Sequence, residues 1–143
     1  MPTLFRATLL AALGVAALVL SMGSPATSAA QKDQKLPDIK TIMQEGHKGT
    51  DAFIAKIGKE AKAGKWDEAG EHAKALAVFG TALGKNKPPK GNEASWKKLT
   101  EQYQANTQEV LAATGKKDAA ATQKSLKAIT DSCGACHKAH KGK

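Results

Sequence analysis

The sequence predicts an all-α protein, an antiparallel four-helix bundle. Apolar residues recur at helical spacing in four stretches, and short segments rich in glycine, proline or lysine separate these stretches. No stretch shows the strict alternation of apolar and polar residues that is typical of a half-buried strand. Because helices with short connections pack antiparallel to their neighbours, these observations favour an up-down bundle that could hold a cofactor between facing helices.

The first predicted helix runs from about residue 38 to residue 64 and follows Pro37, a favoured place for proline. Gly46 and Gly49 weaken its middle, so a kink near His47 to Thr50 is compatible with the sequence. Its apolar face consists of Ile39, Ile42, Met43, Gly46, Thr50, Phe53, Ile54 and Ile57.

The second predicted helix spans about residues 66–83, and the segment 84–91 ends it with two prolines and two glycines. This segment is the longest predicted loop. The inner face of the second helix consists of Ala69, Ala73, Leu76, Phe79, Gly80 and Leu83.

The third and fourth predicted helices cover about residues 93–114 and 119–140. Asn92 and Asp118 stand directly before them as candidate N-caps. The third helix has Trp96, Leu99, Tyr103, Val110 and Leu111 on its inner face, and the fourth has Leu126, Ile129, Cys133, Cys136 and His137 on one side.

Both cysteines of the chain lie in one motif, Cys133-Gly134-Ala135-Cys136-His137. The spacing C-x-x-C-H is typical of a c-type haem attachment site. Two thiols can bond to the two vinyl groups of one porphyrin, and the adjacent imidazole can reach the iron. The motif therefore predicts one covalent haem c on Cys133 and Cys136, with His137 as the proximal iron ligand.

Three alternatives to haem remain for this motif. A thioredoxin-like redox pair belongs to a βαβ setting, which the sequence does not indicate. A structural zinc site needs four ligands, and a second cysteine pair is absent. A plain disulfide would leave the adjacent His137 unexplained.

Residues 1–30 have the pattern of a secretory signal peptide. Arg6 gives a positive start, an apolar stretch covers about residues 9–20, and small residues lead to a predicted cleavage after Ala30. The apolar stretch is shorter than the roughly 20 residues of a membrane-spanning helix, although retention as an anchor is the alternative. Since haem c is attached outside the cytoplasm, we expect a periplasmic protein whose mature domain is residues 31–143.

The composition is basic and poor in large apolar side chains. The net charge is +9 and aromatic residues make up 4% of the chain, so we expect a bound cofactor to complete a thin core. A basic surface favours acidic partner proteins. A nucleic-acid partner does not fit an exported chain in which no stretch combines lysines with stacking aromatic residues.

A C-x-x-C-H motif at the end of the last of four helices resembles the class II cytochromes c, which comprise cytochrome c′ and the low-spin c-556 type. The resemblance covers residues 31–143 in helix number and motif placement. It implies a haem in a left-handed bundle, a proximal motif histidine and a first helix over the distal face. The family often continues with an aromatic and a basic residue, where this chain has His140 and Lys141.

The sixth iron ligand has three candidate assignments. In the low-spin branch a methionine of the first helix binds the iron, and Met43 stands at the matching place. In a five-coordinate protein Met43 would only fill the core. His47, one helical turn later on the same face, is the alternative ligand. We expect His140 to touch solvent or a haem propionate rather than the iron.

The resemblance implies an electron carrier rather than an enzyme. Its alternative is a five-coordinate cytochrome c′ that binds nitric oxide or carbon monoxide, and a homodimer is compatible with either. Lysines of the segment 84–91 and of the chain end would surround an exposed haem edge and attract an acidic redox partner.

Overall fold

The computed structural model describes residues 36–142, and the predicted signal peptide lies outside them. The all-α prediction is confirmed, because the described residues form five helices and no strand. The helices are α1 Ile39–His47, α2 Phe53–Lys62, α3 Trp66–Lys85, α4 Glu93–Gly115 and α5 Ala119–His140.

The prediction of one continuous helix over residues 38–64 is wrong, because α1 and α2 are separate helices. Lys48 after α1 has an extended backbone, and Gly49 has the left-handed φ of +83°. Ala52 before α2 is also extended, and it is buried. The break is therefore sharper than a kink, and Thr50, predicted on the inner face, lies exposed within it.

The predicted N-caps of the two longest helices are confirmed. The side chain of Asn92 accepts hydrogen bonds from the backbone N–H of Ala94 at 2.7 Å and of Ser95 at 3.2 Å. Asp118 accepts from the N–H of Ala121 at 2.9 Å. These side chains satisfy backbone donors that a helix cannot pair internally, so they fix where α4 and α5 begin.

The helices pack in the order expected of an up-down bundle. α2 contacts α3, α3 contacts α4, α4 contacts α5, and α2 closes the arrangement against α5, while the short α1 lies against α3 and α2. Every residue predicted for the inner face of the second helix is buried in α3. The core consists mainly of Ile42, Ile57, Leu76, Phe79, Trp96, Tyr103, Val110, Leu126 and Ile129.

Four buried threonines extend this thin core, namely Thr100, Thr107, Thr114 and Thr122. Each hydroxyl donates to a carbonyl of its own helix, for example Thr107 to Gln104 at 2.7 Å and Thr122 to Asp118 at 2.7 Å. The polar atoms are thus satisfied without a partner from another helix. Thr107 faces Gly80, so α3 and α4 approach closely where glycine removes the side chain.

Among residues 36–142, no helix is both long enough and apolar enough to cross a membrane.

Candidate functional site

The C-terminal turns of α5 present the whole motif on one helix. Cys133 and Cys136 are half-buried free thiols, whereas His137 is exposed. The thiol of Cys133 donates to the carbonyl oxygen of Ile129 at 3.3 Å. Burial raises the pKa of both thiols, and the neighbouring Cys133 raises the pKa of Cys136 further. Both cysteines are therefore neutral thiols near neutral pH.

Two cavities meet at this motif and share the side chains of Met43, His47, Cys136 and His137. The larger has a volume of about 450 Å³, within the range of about 300–1,000 Å³ typical of ligand sites. The smaller one, of about 40 Å³, reaches Cys133. All five residues predicted from the sequence thus line one continuous region. The other residues around the larger cavity are Ile39, Lys48, Pro89, Trp96, His140, Lys141 and Gly142.

Met43 and His47 belong to α1, which is far from the motif in the sequence but lies beside it in space. Met43 is half-buried and packs against the hydrophobic core. A hydrogen bond of 2.7 Å joins His47 Nε2 to the hydroxyl of Tyr103, a residue of α4. α1 ends at His47, so the break begins directly after this residue.

The second ring nitrogen of His47 has no partner. Nδ1 is the one buried side-chain nitrogen or oxygen in the described part of the chain that lacks a hydrogen bond. Burial, and secondarily the charge of His137, lower the pKa of His47 to about 4. His47 is therefore a neutral imidazole near neutral pH, the form that binds a metal. Burial also raises the pKa of Tyr103, so its phenol stays protonated.

These side chains fit an iron porphyrin better than a bare metal ion. Within residues 36–142, no group of three or more His, Cys, Asp or Glu side chains could hold a metal by itself. The two cavities instead offer two thiols, one thioether and three imidazoles around an apolar space. Thioether and imidazole are axial ligands of haem iron in c-type proteins, and the unpartnered Nδ1 of His47 marks a missing polar contact.

His140 lies elsewhere than the sequence suggested. The expectation that it touches solvent is wrong, because only 1% of its surface is exposed. Its Nδ1 bonds to the carbonyl oxygen of Lys90 at 2.9 Å, and its Nε2 bonds to the hydroxyl of Ser95 at 2.8 Å. The ring also meets Trp96 edge-on, with centroids 5.2 Å apart. His140 thus joins the end of α5 to the start of α4.

The loop before α4 is seated on the last turn of α5. Gly91 has a φ of +85°, and a Cβ there would stand 2.7 Å from the carbonyl oxygen of Ala139 and 2.8 Å from His140 Nδ1. Trp96 Nε1 donates to the carbonyl of Asn86 at 2.8 Å, which ties the loop to α4. The loop and the end of α5 therefore form one wall of the larger cavity.

Replacing Gly91 by alanine is expected to lower the melting temperature of the protein more than replacing Gly49 by alanine. Both glycines have a left-handed φ, so both variants carry backbone strain of about 1–2 kcal/mol. Only at Gly91 does the new methyl group also collide with neighbouring atoms, since nothing lies within 4 Å of the corresponding position at Gly49. Thermal melts of the two variants, followed by circular dichroism, measure the difference. Equal losses would show that the contact with the end of α5 is unimportant.

Two lysines lie at the larger cavity, of which Lys141 belongs to the predicted basic rim and Lys48 does not. The side chain of Asn86 donates to the carbonyl oxygen of Pro37 at 3.1 Å, so the loop after α3 also reaches the start of α1. The loop after α3 thus contacts both the segment before α1 and the end of α5.

The family comparison agrees with this geometry. Residues 91–141, which contain α4, α5 and the complete C-x-x-C-H motif, match the family model described as cytochrome C′. This match, which covers about a third of the chain, supports a class II cytochrome c. The matched family implies a haem cofactor, and the match does not extend to Met43 and His47. No curated protein and no solved structure matches the chain significantly.

Sequence reasoning missed two contacts of this site. Tyr103 was predicted only as an inner-face residue, yet its hydroxyl holds His47. Ser95 was not singled out, yet it bonds to His140 across helices. Neither pairing has a local sequence pattern, because the partners are far apart in the chain. Trp96, predicted on the inner face of the third helix, lies in the wall of the larger cavity.

Proposed function

We propose that this cytochrome is an exported, periplasmic electron carrier that transforms no substrate. Cys133 and Cys136 would hold one covalent haem c, and His137 would be its proximal ligand. The observation that carries the proposal is the convergence of the motif with Met43 from α1 at one cavity. When bound, the haem supplies a one-electron couple at its iron.

The proposed distal ligand is Met43. Its half-buried side chain borders both cavities, which His137 also borders. The two other methionines of the chain, Met1 and Met22, lie in the predicted signal peptide. A soft thioether favours Fe(II), and ligation by histidine and methionine raises the reduction potential. Apolar neighbours such as Ile39 keep water from this ligand.

A specific observation supports the second candidate, a five-coordinate protein that binds nitric oxide or carbon monoxide. The unpartnered Nδ1 of His47 lies in the same region as Met43 and could donate a hydrogen bond to a bound diatomic molecule. In that case Met43 would be a core residue and His47 would be the polar group of the distal side. The same nitrogen also keeps His47 as an alternative sixth ligand.

Absorption spectra of the purified protein and of two variants separate these possibilities. For the electron carrier we expect a low-spin spectrum with a near-infrared sulfur-to-iron band and no response to carbon monoxide. M43A should lose that band and respond to carbon monoxide, whereas H47F should keep the wild-type spectrum. A low-spin wild type without the band, disturbed in H47F, would assign the ligand to His47. A high-spin wild type that binds carbon monoxide would overturn the electron-carrier proposal.

The proposed redox partner is an acidic protein that approaches the lysines at the cavity mouth. Lys48 and Lys141 border the cavity, so opposite charge on a partner would speed the encounter. We expect the electron-transfer rate with an acidic partner to fall as ionic strength rises, and to fall in the K48E/K141E double variant. Stopped-flow kinetics measure both effects, with K74E on the outer face of α3 as control. A rate that is independent of salt would contradict a charged docking surface.

A further inference from the structure

His140 is more strongly constrained than any other histidine of the described chain. It is 1% exposed, and both ring nitrogens have hydrogen-bond partners, the carbonyl of Lys90 at 2.9 Å and the hydroxyl of Ser95 at 2.8 Å. The contact with Trp96 fixes the ring plane from a third side. An imidazole with this many contacts resists rotation and translation, so the backbone that carries it is also held.

The chemistry of the partners defines the direction of these bonds. A carbonyl oxygen only accepts, so Nδ1 of His140 carries the hydrogen that points at Lys90. The hydroxyl of Ser95 has one hydrogen and two candidate acceptors, Nε2 of His140 and the carbonyl oxygen of Asn92 at 3.0 Å. A neutral ring is fully satisfied when that hydrogen points at Nε2.

The backbone held in this way is the turn that carries the proximal ligand. His137 stands three residues before His140 on α5, within the same helical turn. The N–H of Lys141 donates to the carbonyl oxygen of His137 at 3.1 Å, which closes this last turn. His137 itself is exposed, and within residues 36–142 its imidazole has no hydrogen bond to another side chain. Its orientation therefore depends on the helix turn rather than on a direct partner.

We propose that His140 is a positioning residue for the proximal iron ligand. It anchors the last turn of α5 to the first turn of α4 and to the loop before α4. This inference rests on the proposed haem attachment. An aromatic residue without ring nitrogens would fill the same space and make neither hydrogen bond. The anchor is thus specific to the imidazole, and it acts on the iron through His137.

The test compares the holoprotein with variants at His140. H140F keeps a buried ring and removes both hydrogen bonds. H140N retains a side-chain N–H that can reach the Lys90 carbonyl in place of Nδ1–H. S95A removes only the bond to Nε2 and serves if H140F yields no folded protein. The control is H72F, the same chemical change at a histidine of α3 that bonds to Glu60 at 2.8 Å.

The readouts are the ferric electron paramagnetic resonance spectrum, the reduction potential and the melting temperature. We expect H140F to show shifted or broadened g-values and a shifted potential, H140N to return both toward wild type, and S95A to show a smaller shift. H72F should lower the melting temperature and leave both iron signals unchanged. Wild-type iron signals in H140F, or in S95A if H140F does not fold, would overturn the proposal even if the melting temperature fell. An equal displacement in H140N and H140F would overturn it too.

Failure of the proposed function is distinguishable from failure of this inference. If the wild type carries no haem after denaturation, the attachment proposal has failed, and no proximal ligand exists to position. If the wild type is five-coordinate, the electron-carrier proposal has failed. The comparison of His140 variants then still holds, because the rhombicity of a high-spin ferric spectrum also responds to the proximal histidine.

Discussion

Alanine at both Cys133 and Cys136 is expected to abolish covalent haem attachment completely. These are the two cysteines of the chain, and both are free, half-buried thiols beside the cavity. Without them no thioether bond to the porphyrin can form. Extraction with acid acetone, followed by a haem stain of the denatured chain and its mass, measures the attachment. The wild-type chain should keep its colour and the double variant should lose it.

The single variants C133A and C136A are the matched controls for this experiment. Each retains one thiol and should keep a reduced amount of covalent haem through one bond. The double variant should also melt over a broad range, because an apolar cofactor no longer completes the thin core. Haem that resists extraction in the double variant, or a haem-free wild type, would contradict the proposed attachment. A compact, cooperatively melting double variant would contradict the role of the cofactor in the core.

The G80A variant is expected to lose about 2 kcal/mol of unfolding free energy, a typical effect of overpacking in a core. A Cβ on Gly80 would collide with Oγ1 of Thr107 and stand 3.2 Å from the backbone Cα of Gln104. Backbone on the facing helix cannot turn away as a flexible side chain can. The helices α3 and α4 must therefore separate, and the melting temperature should fall by roughly 10 °C.

Gly70 provides the control on the same helix. Nothing lies within 4 Å of its Cβ position, so G70A should stabilise the protein by about 0.5–1 kcal/mol through helix propensity alone. In the double variant G80A/T107A the hydroxyl is gone, and part of the loss should be recovered. Urea unfolding of the wild type, G80A, T107A and G80A/T107A completes a double-mutant cycle. If G80A were as stable as G70A, the close approach of α3 and α4 would be contradicted.

The sequence predicted the fold well wherever periodicity and capping agree. The predicted boundaries of the last three helices lie within two residues of α3, α4 and α5, and Asn92 and Asp118 cap as expected. The first helix failed because apolar spacing continues across residues 48–52. In the sequence, Gly46 and Gly49 predict only a kink. In the structure, the buried Ala52 and the left-handed backbone of Gly49 accompany a full break between two helices. Tertiary packing decided between these outcomes.

The candidate site was predictable where chemistry is local in sequence and unpredictable where it is not. Five consecutive residues define the attachment motif, and Met43 and His47 follow from their place on an apolar face. The bond of His47 to Tyr103 links residues 56 positions apart, and that of His140 to Ser95 links residues 45 apart. The buried threonines were also missed. Their hydroxyls donate to carbonyls of their own helix, and composition alone does not show that such bonds allow burial.

The cavity is built by the first and the last described helices, and this has a topological consequence. Under the proposed ligation, Met43 and His137 would be joined through the iron, which closes a loop around almost the entire bundle. Such a cross-link restricts the unfolded chain, as a long-range disulfide does. Because a thioether binds Fe(II) more strongly than Fe(III), this cross-link would be stronger in the reduced protein. The free energy of unfolding would then depend on the oxidation state and would be higher in the reduced protein.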